Sequence, residues 1–154
     1  MIETPYITQT RQQHIATLHL TVPRENIGES MGAGVQQVLG VLTAQSIVPT
    51  GPWFTHHHRR PTDTFDFEIC FPVAQPIAPS GLVVPGTWPA MTVARAVYQG
   101  NYTGLPEAWA EFHAWLDANA HNTASDLWEV YLVNPNSNPN PAEWRTELNR
   151  QITD

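Results

Sequence analysis

Glu129 is the residue of this chain whose position most demands a chemical explanation. It stands in the middle of Asp126-Leu127-Trp128-Glu129-Val130-Tyr131-Leu132-Val133, a run of the residue types that fill half-buried pleated surfaces. Strand alternation groups Leu127, Glu129, Tyr131 and Val133 on one face and Trp128, Val130 and Leu132 on the other. Both faces are apolar, and one of them carries a carboxylate. An ionised carboxylate in that setting is costly unless it is paired, hydrogen-bonded or met by a ligand. Among aromatic rings it would attract a cation, or hold and activate a water as general base, with Tyr131 on the same face. The plainer reading is a partly exposed Glu paired with Arg95 or Arg145.

The other residues able to do chemistry fall into three groups. Aromatic side chains are abundant, with six Trp, four Tyr and five Phe. Trp109 and Phe112 share a helical stripe with Leu105 and Leu116, which assigns them to a core. Trp53, Trp88, Tyr98, Tyr131 and Trp144 fall on strands or a connecting segment and are candidates to line a cleft, where ring faces take cations and flat ligands. His56-His57-His58 raises a metal reading, but zinc needs three or four ligands and no third Cys, Asp or Glu has a supporting spacing. The sequence therefore predicts no metal and no cofactor, with His57 facing the cleft beside Trp53. Glu68 and Glu147 occupy equivalent places in two similar halves. Glu68 reads as part of a solvated strand face, whereas Glu147 is a candidate second carboxylate of the cleft. Cys70, the single cysteine, has nothing nearby to make it a thiolate.

Composition narrows the function classes. Seven Lys+Arg against fourteen Asp+Glu give a formal charge of −7, and no basic cluster exists to neutralise phosphates, so no nucleic-acid partner is expected. No signal peptide and no membrane-length apolar run are present, so a cytoplasmic protein with no membrane partner is expected. A protein partner is left unknown.

The elements that must position these residues recur in two halves. His14 to Val22 alternates as a strand, and Asn26 with Glu29 offers a capping box before the stripe Met31, Val35, Val38, Leu39 and Leu42. Trp53–His58 and Phe65–Phe71 follow as strands. A proline-rich connection, about 74–90, contains a short strand near Leu82-Val83-Val84. Then Met91–Tyr98 is a strand, Thr103 caps a helix, and strands Leu127–Val133 and Trp144–Ile152 close the chain. The chain reads as one domain, 1–154, with repeat 1 at about 12–73 and repeat 2 at about 91–152. Each repeat is strand–helix–strand–strand. The expected architecture is α+β: one antiparallel sheet with both helices on one face and a ligand cleft on the other.

Several short motifs in this order resemble the GyrI-like small-molecule-binding domain, the effector-binding half of some multidrug-sensing regulators. They are Gly51-Pro52-Trp53-Phe54, Phe67-Glu68-Ile69-Cys70-Phe71-Pro72-Val73, Tyr98-Gln99-Gly100-Asn101-Tyr102, Trp128-Glu129-Val130-Tyr131 and Arg145-Thr146-Glu147-Leu148. Asn101 stands where the family usually has proline. The resemblance implies a cleft between the two halves, lined by aromatic rings with Glu129 at its floor, that binds hydrophobic, aromatic or cationic small molecules for xenobiotic sequestration or protection. It also implies two alternatives. One is a hydrolase opening the cyclopropane ring of DNA-alkylating natural products, with Glu129 and Tyr131 catalytic. The other is a topoisomerase-inhibitory interaction protein. The chain opens without a helix-turn-helix pattern, so a standalone binding domain is expected.

Overall fold

Where the sequence alternates, the chain pairs. In the computed structural model, which describes residues 2–154, the elements in order are β1 (Tyr6–Gln9), β2 (Gln13–Pro23), α1 (Ile27–Ala44), β3 (Phe54–His57), β4 (Thr64–Val73), β5 (Val83–Trp88), β6 (Thr92–Gln99), α2 (Leu105–Ala118), β7 (Leu127–Val133) and β8 (Arg145–Gln151). Antiparallel strands and a helix in each of two units make an α+β fold, the class expected from the sequence. The chain divides into two compact units, one of Arg11–Ala90 and one of Met91–Asp154 with the amino-terminal residues through Thr10.

The Arg11–Ala90 unit orders its strands β3-β4-β2-β5. Register sets Leu18 opposite Ile69, Ala16 opposite Phe71, and Thr55 opposite Ile69. Ala16, Leu18, Phe67, Ile69 and Phe71 therefore share the face on which α1 lays Val35, Val38 and Leu42, and all eight are buried. The opposite face carries Thr17, His19, Asp66, Glu68, Cys70 and His56, which alternation sends the other way.

One local expectation is corrected here, and one is extended. Asn26 lies in a short 3-10 turn with φ −101° and ψ 2° and makes no side-chain cap bond; a capping side chain needs an extended backbone to reach back to the helix amides. The proline-rich connection holds a full strand, β5, hydrogen-bonded along β2 with Gln13 opposite Trp88.

In the second unit the order is β1-β6-β8-β7. β1, which the sequence pattern did not indicate, pairs with β6 from Tyr6 opposite Arg95 to Gln9 opposite Thr92. The pairings Ala96–Leu148, Tyr98–Thr146, Glu129–Leu148 and Tyr131–Thr146 define one face. Against it α2 packs Ala108, Trp109, Phe112 and Leu116, in a cluster that includes Leu127, Leu148 and Tyr98. Phe112 is fully buried, and truncating such a ring costs about 3–5 kcal/mol. No described helix is long and apolar enough to cross a membrane.

Candidate functional site

The carboxylate singled out by the sequence is gripped at both oxygens. Trp109 Nε1 of α2 donates to Glu129 Oε2 at 2.6 Å, and the Tyr131 hydroxyl donates to Glu129 Oε1 at 2.8 Å. Strand spacing explains the second bond, because residues two apart on β7 stand side by side on one face. The first bond exists because a buried indole N–H needs an acceptor, and the strand facing α2 offers one.

Alternation places Glu129 and Tyr131 on the face that α2 covers, together with Leu127 and Leu148 of the same core. The sequence pattern expects the ligand cleft on the helix-free face, whereas Glu129 stands opposite Leu148 on the face of the α2 core, where Trp109 reaches it.

Around the carboxylate the second unit assembles further rings. The Tyr102 ring stands edge-on to Tyr131 with centroids 5.8 Å apart, and lies 4.8 Å from Trp144. Trp144 is fixed by its Nε1–H, which donates to the Asn138 carbonyl at 2.8 Å. Burial, and next the Glu129 carboxylate, push the Tyr102 phenol up to about 12. The Tyr102 hydroxyl and the Thr146 hydroxyl are buried without a protein hydrogen-bond partner. Thr146 is registered directly opposite Tyr131, so the residues that carry both orphan hydroxyls neighbour the Glu129-bound tyrosine. Such groups ordinarily find a partner, and a polar ligand atom would supply one.

Neither cation weighed as a partner for Glu129 is available to it. Arg95 pairs with Glu147 at 3.1 Å and donates to Asn149 at 2.8 Å; Arg145 reaches Glu3 at 3.3 Å. Among the described residues Glu129 has no ion-pair partner. The carboxylate is thus held by two neutral donors, the Trp109 indole and the Tyr131 phenol.

Glu147 is on the opposite face of β8, in the Arg95–Glu147–Asn149 group, and does not join Glu129. Tyr98 belongs to the core beneath α2, and its hydroxyl donates to the Asn101 carbonyl at 2.8 Å. Its ring runs under the turn so closely that a Cβ on Gly104 would come within 2.1 Å of the hydroxyl oxygen, and one on Gly100 within 2.8 Å. Trp53, Trp88 and His57 are in the other unit. Trp53 stacks on Phe71 and His57 on Phe67, Trp88 packs tilted against Phe54, and His57 hydrogen-bonds Thr55 at 3.0 Å. Cys70 is fully buried, and burial with the nearby Glu68 charge pushes its thiol up, away from nucleophilic range.

Three residues join this candidate group without a site signal of their own in the sequence. Trp109 is core, as its stripe predicts, and its N–H is also a partner of Glu129. A buried tryptophan on a stripe facing a strand with a mid-face glutamate is the signal that could have found it. Tyr102 belongs to the Tyr98–Tyr102 turn motif and Thr146 to the Arg145–Leu148 motif, and neither motif states a contact with Glu129. The turn itself accommodates its unusual residue: Asn101 has φ −64°, a value proline also takes, and its side chain accepts from the Thr103 amide at 3.2 Å.

The model of the family described as the GyrI-like small molecule binding domain matches residues 3–149. No curated protein matches the chain by sequence. Among solved structures, the EcmrR C-terminal domain superposes with a TM-score of 0.87 at 18% identity, over 98% of each chain. In a complex of EcmrR with DNA the TM-score is 0.86 at 19% identity, over 97% of this chain, which spans 57% of that one. SAV2435, solved bound to tetraphenylphosphonium, gives 0.65 at 10% identity, over 98% of this chain and 94% of that one. A hydrolase from Listeria innocua gives 0.72 at 12% identity, over 97% and 91%. At these identities the likeness is one of fold.

Proposed function

The chain belongs to the GyrI-like small-molecule-binding family, and from that premise we propose that it binds hydrophobic, aromatic or cationic small molecules at Glu129, as a xenobiotic-sequestering protein. The observation that carries this reading is the carboxylate held by Trp109 and Tyr131 with no ion-pair partner among the described residues. A lipophilic cation would gain twice there, from the carboxylate charge and from the negative faces of the surrounding rings. Tyr102 and Trp144 supply apolar ring area, and burial of ligand surface against them provides most of the affinity while Glu129 sets orientation. That SAV2435 has been solved with tetraphenylphosphonium makes the same cation a suitable probe.

The experiment is a calorimetric titration with tetraphenylphosphonium and with the neutral triphenylphosphine oxide, on the parent protein and on Glu129→Gln. Removing the charge while keeping the shape should weaken the cation about tenfold, about 1.4 kcal/mol, and change the neutral compound little. Equal weakening of both, or of neither, contradicts the proposed role of Glu129.

The second reading is a hydrolase opening a cyclopropane ring, favoured by one observation. Two orphan hydroxyls, those of Tyr102 and Thr146, belong to residues that neighbour Glu129-bound Tyr131 and would fit a water or a carbonyl oxygen. In that reading Glu129 takes a proton from water as the water oxygen bonds to a ring carbon. The strained C–C bond breaks, its electron pair passes to a conjugated carbonyl, and the proton is returned there, so that the product is substrate plus water. Mass spectrometry of a cyclopropane-bearing alkylator after incubation separates the readings. A gain of one water, lost in Glu129→Gln, establishes the hydrolase; unchanged mass with saturable binding establishes sequestration alone.

A further inference from the structure

Three of the seven histidines meet on the helix-free face of the Arg11–Ala90 unit, beside two carboxylates. Register explains the meeting. His56 is directly opposite Glu68 across the β3–β4 pair, and His19 is opposite Glu68 across the β2–β4 pair. His58, two residues past His56, returns to the same face, and its ring lies 4.7 Å from that of His56 and 5.2 Å from that of His19. No spacing along the chain announces this set, because the carboxylates arrive from β4 through the hairpin.

We propose that His56, His58 and Glu68 form a zinc site that staples β3, with the turn after it, to β4. Two imidazole nitrogens already converge on one carboxylate oxygen: His56 Nδ1 is 3.2 Å and His58 Nε2 3.1 Å from Glu68 Oε1. Ligands bonded to one tetrahedral zinc at about 2.0–2.1 Å stand about 3.3 Å from each other. Each nitrogen therefore stands from the oxygen at nearly the separation a shared ion imposes, the three ligand atoms all lie within 4.8 Å of one another, and a small outward shift of each admits the ion. All three side chains are part-exposed, at 20%, 38% and 21%, so an ion can enter without opening the core.

The carboxylate is also oriented from behind. Its other oxygen, Oε2, accepts from Thr17 Oγ1 at 2.8 Å, the kind of outer contact that fixes a ligating carboxylate. Binding exchanges imidazole protons for the metal, so each ligating nitrogen presents a lone pair to zinc and the released protons go to solvent. Two histidines and one glutamate occupy three positions, and water takes the fourth. A second group, His19, His58 and Asp66, adjoins the first and shares His58. His19 Nε2 is committed to Asp66, which makes that pair a neighbour rather than a competing ligand set.

The site is tested on tag-free, chelator-stripped protein by zinc calorimetry and elemental analysis. One equivalent of zinc should bind, and both His58→Ala and Glu68→Gln should lower the affinity at least about tenfold. His121→Ala, which alters a histidine paired with Asp154 in the other unit, should bind like the parent. Cobalt in place of zinc reads the geometry on the unaltered chain: the intense visible bands of a four-coordinate ion are expected. Substoichiometric zinc, variants that bind like the parent, or the weak bands of six-coordinate cobalt would each overturn the assignment.

Discussion

Trp109 and Glu129 are joined by a 2.6 Å hydrogen bond from the indole Nε1–H to carboxylate oxygen Oε2, which ties the middle of β7 to the helix above it. Twenty residues separate them in sequence, and neither position explains itself without the other. The helix needs an acceptor for a buried indole; the strand needs a donor for a carboxylate on an apolar face. The bond makes α2 part of the site as well as its cover.

Trp109→Phe keeps a ring in the core and removes the donor. Hydrogen bonds to charged groups contribute about 1.5–3 kcal/mol, and Glu129 is only partly buried, so a loss near the lower end is expected in urea unfolding. Glu129→Gln in the Trp109→Phe background should cost less than it does alone, because the two residues act as a pair. Additive losses would mean that the contact carries no coupling.

Tyr102 is the pH reporter of the site. Its phenol is pushed from the ordinary 10.0 to about 12, first by burial and then by Glu129. A folded-state value raised above the unfolded one means that this contribution to stability is whole below about pH 10 and is lost as pH rises toward about 12. Tyrosinate absorbance should show a late-ionising phenol that is lost in Tyr102→Phe. In Glu129→Gln its titration should move down part of the way, since burial remains. A titration in the mutant unchanged from the parent would place Tyr102 outside the influence of Glu129.

Two glycines make opposite predictions. A Cβ at Gly104 meets the Tyr98 hydroxyl oxygen at 2.1 Å, whereas one at Gly40, exposed on α1, meets nothing within 4 Å. Gly40→Ala should stabilise by about 0.5–1 kcal/mol through helix propensity. Gly104→Ala should destabilise by about 1–3 kcal/mol, the usual result of overpacking. Thermal melts of the two variants test both signs.

What was legible in the sequence was what alternation and helical stripes encode. Phe67, Ile69 and Phe71 marked β4, and Val35, Val38 and Leu42 marked the buried side of α1, because period alone separates a core face from its opposite. β1 escaped notice because Tyr6–Gln9 is a short, mostly exposed strand whose only structural task is to pair with β6. The site was half legible. Glu129 stood out as a charge on an apolar strand, and Tyr131 followed from the spacing of two. Trp109 and Tyr102 did not follow, because their arrival depends on how far α2 and its leading turn reach over the sheet. The histidine group was illegible for a similar reason: Glu68 is set opposite His56 by hairpin register, which no local spacing states.

The most direct test of the central claim watches the Trp109 indole N–H during ligand addition. In nitrogen-15 correlation spectra, with the resonance assigned by its disappearance in Trp109→Phe, titration with tetraphenylphosphonium should shift this one signal strongly and saturably. The shift should be diminished in Glu129→Gln. A Trp109 signal that stays in place while the cation binds would show that the ligand goes elsewhere, and the assignment of Glu129 as its partner would be wrong.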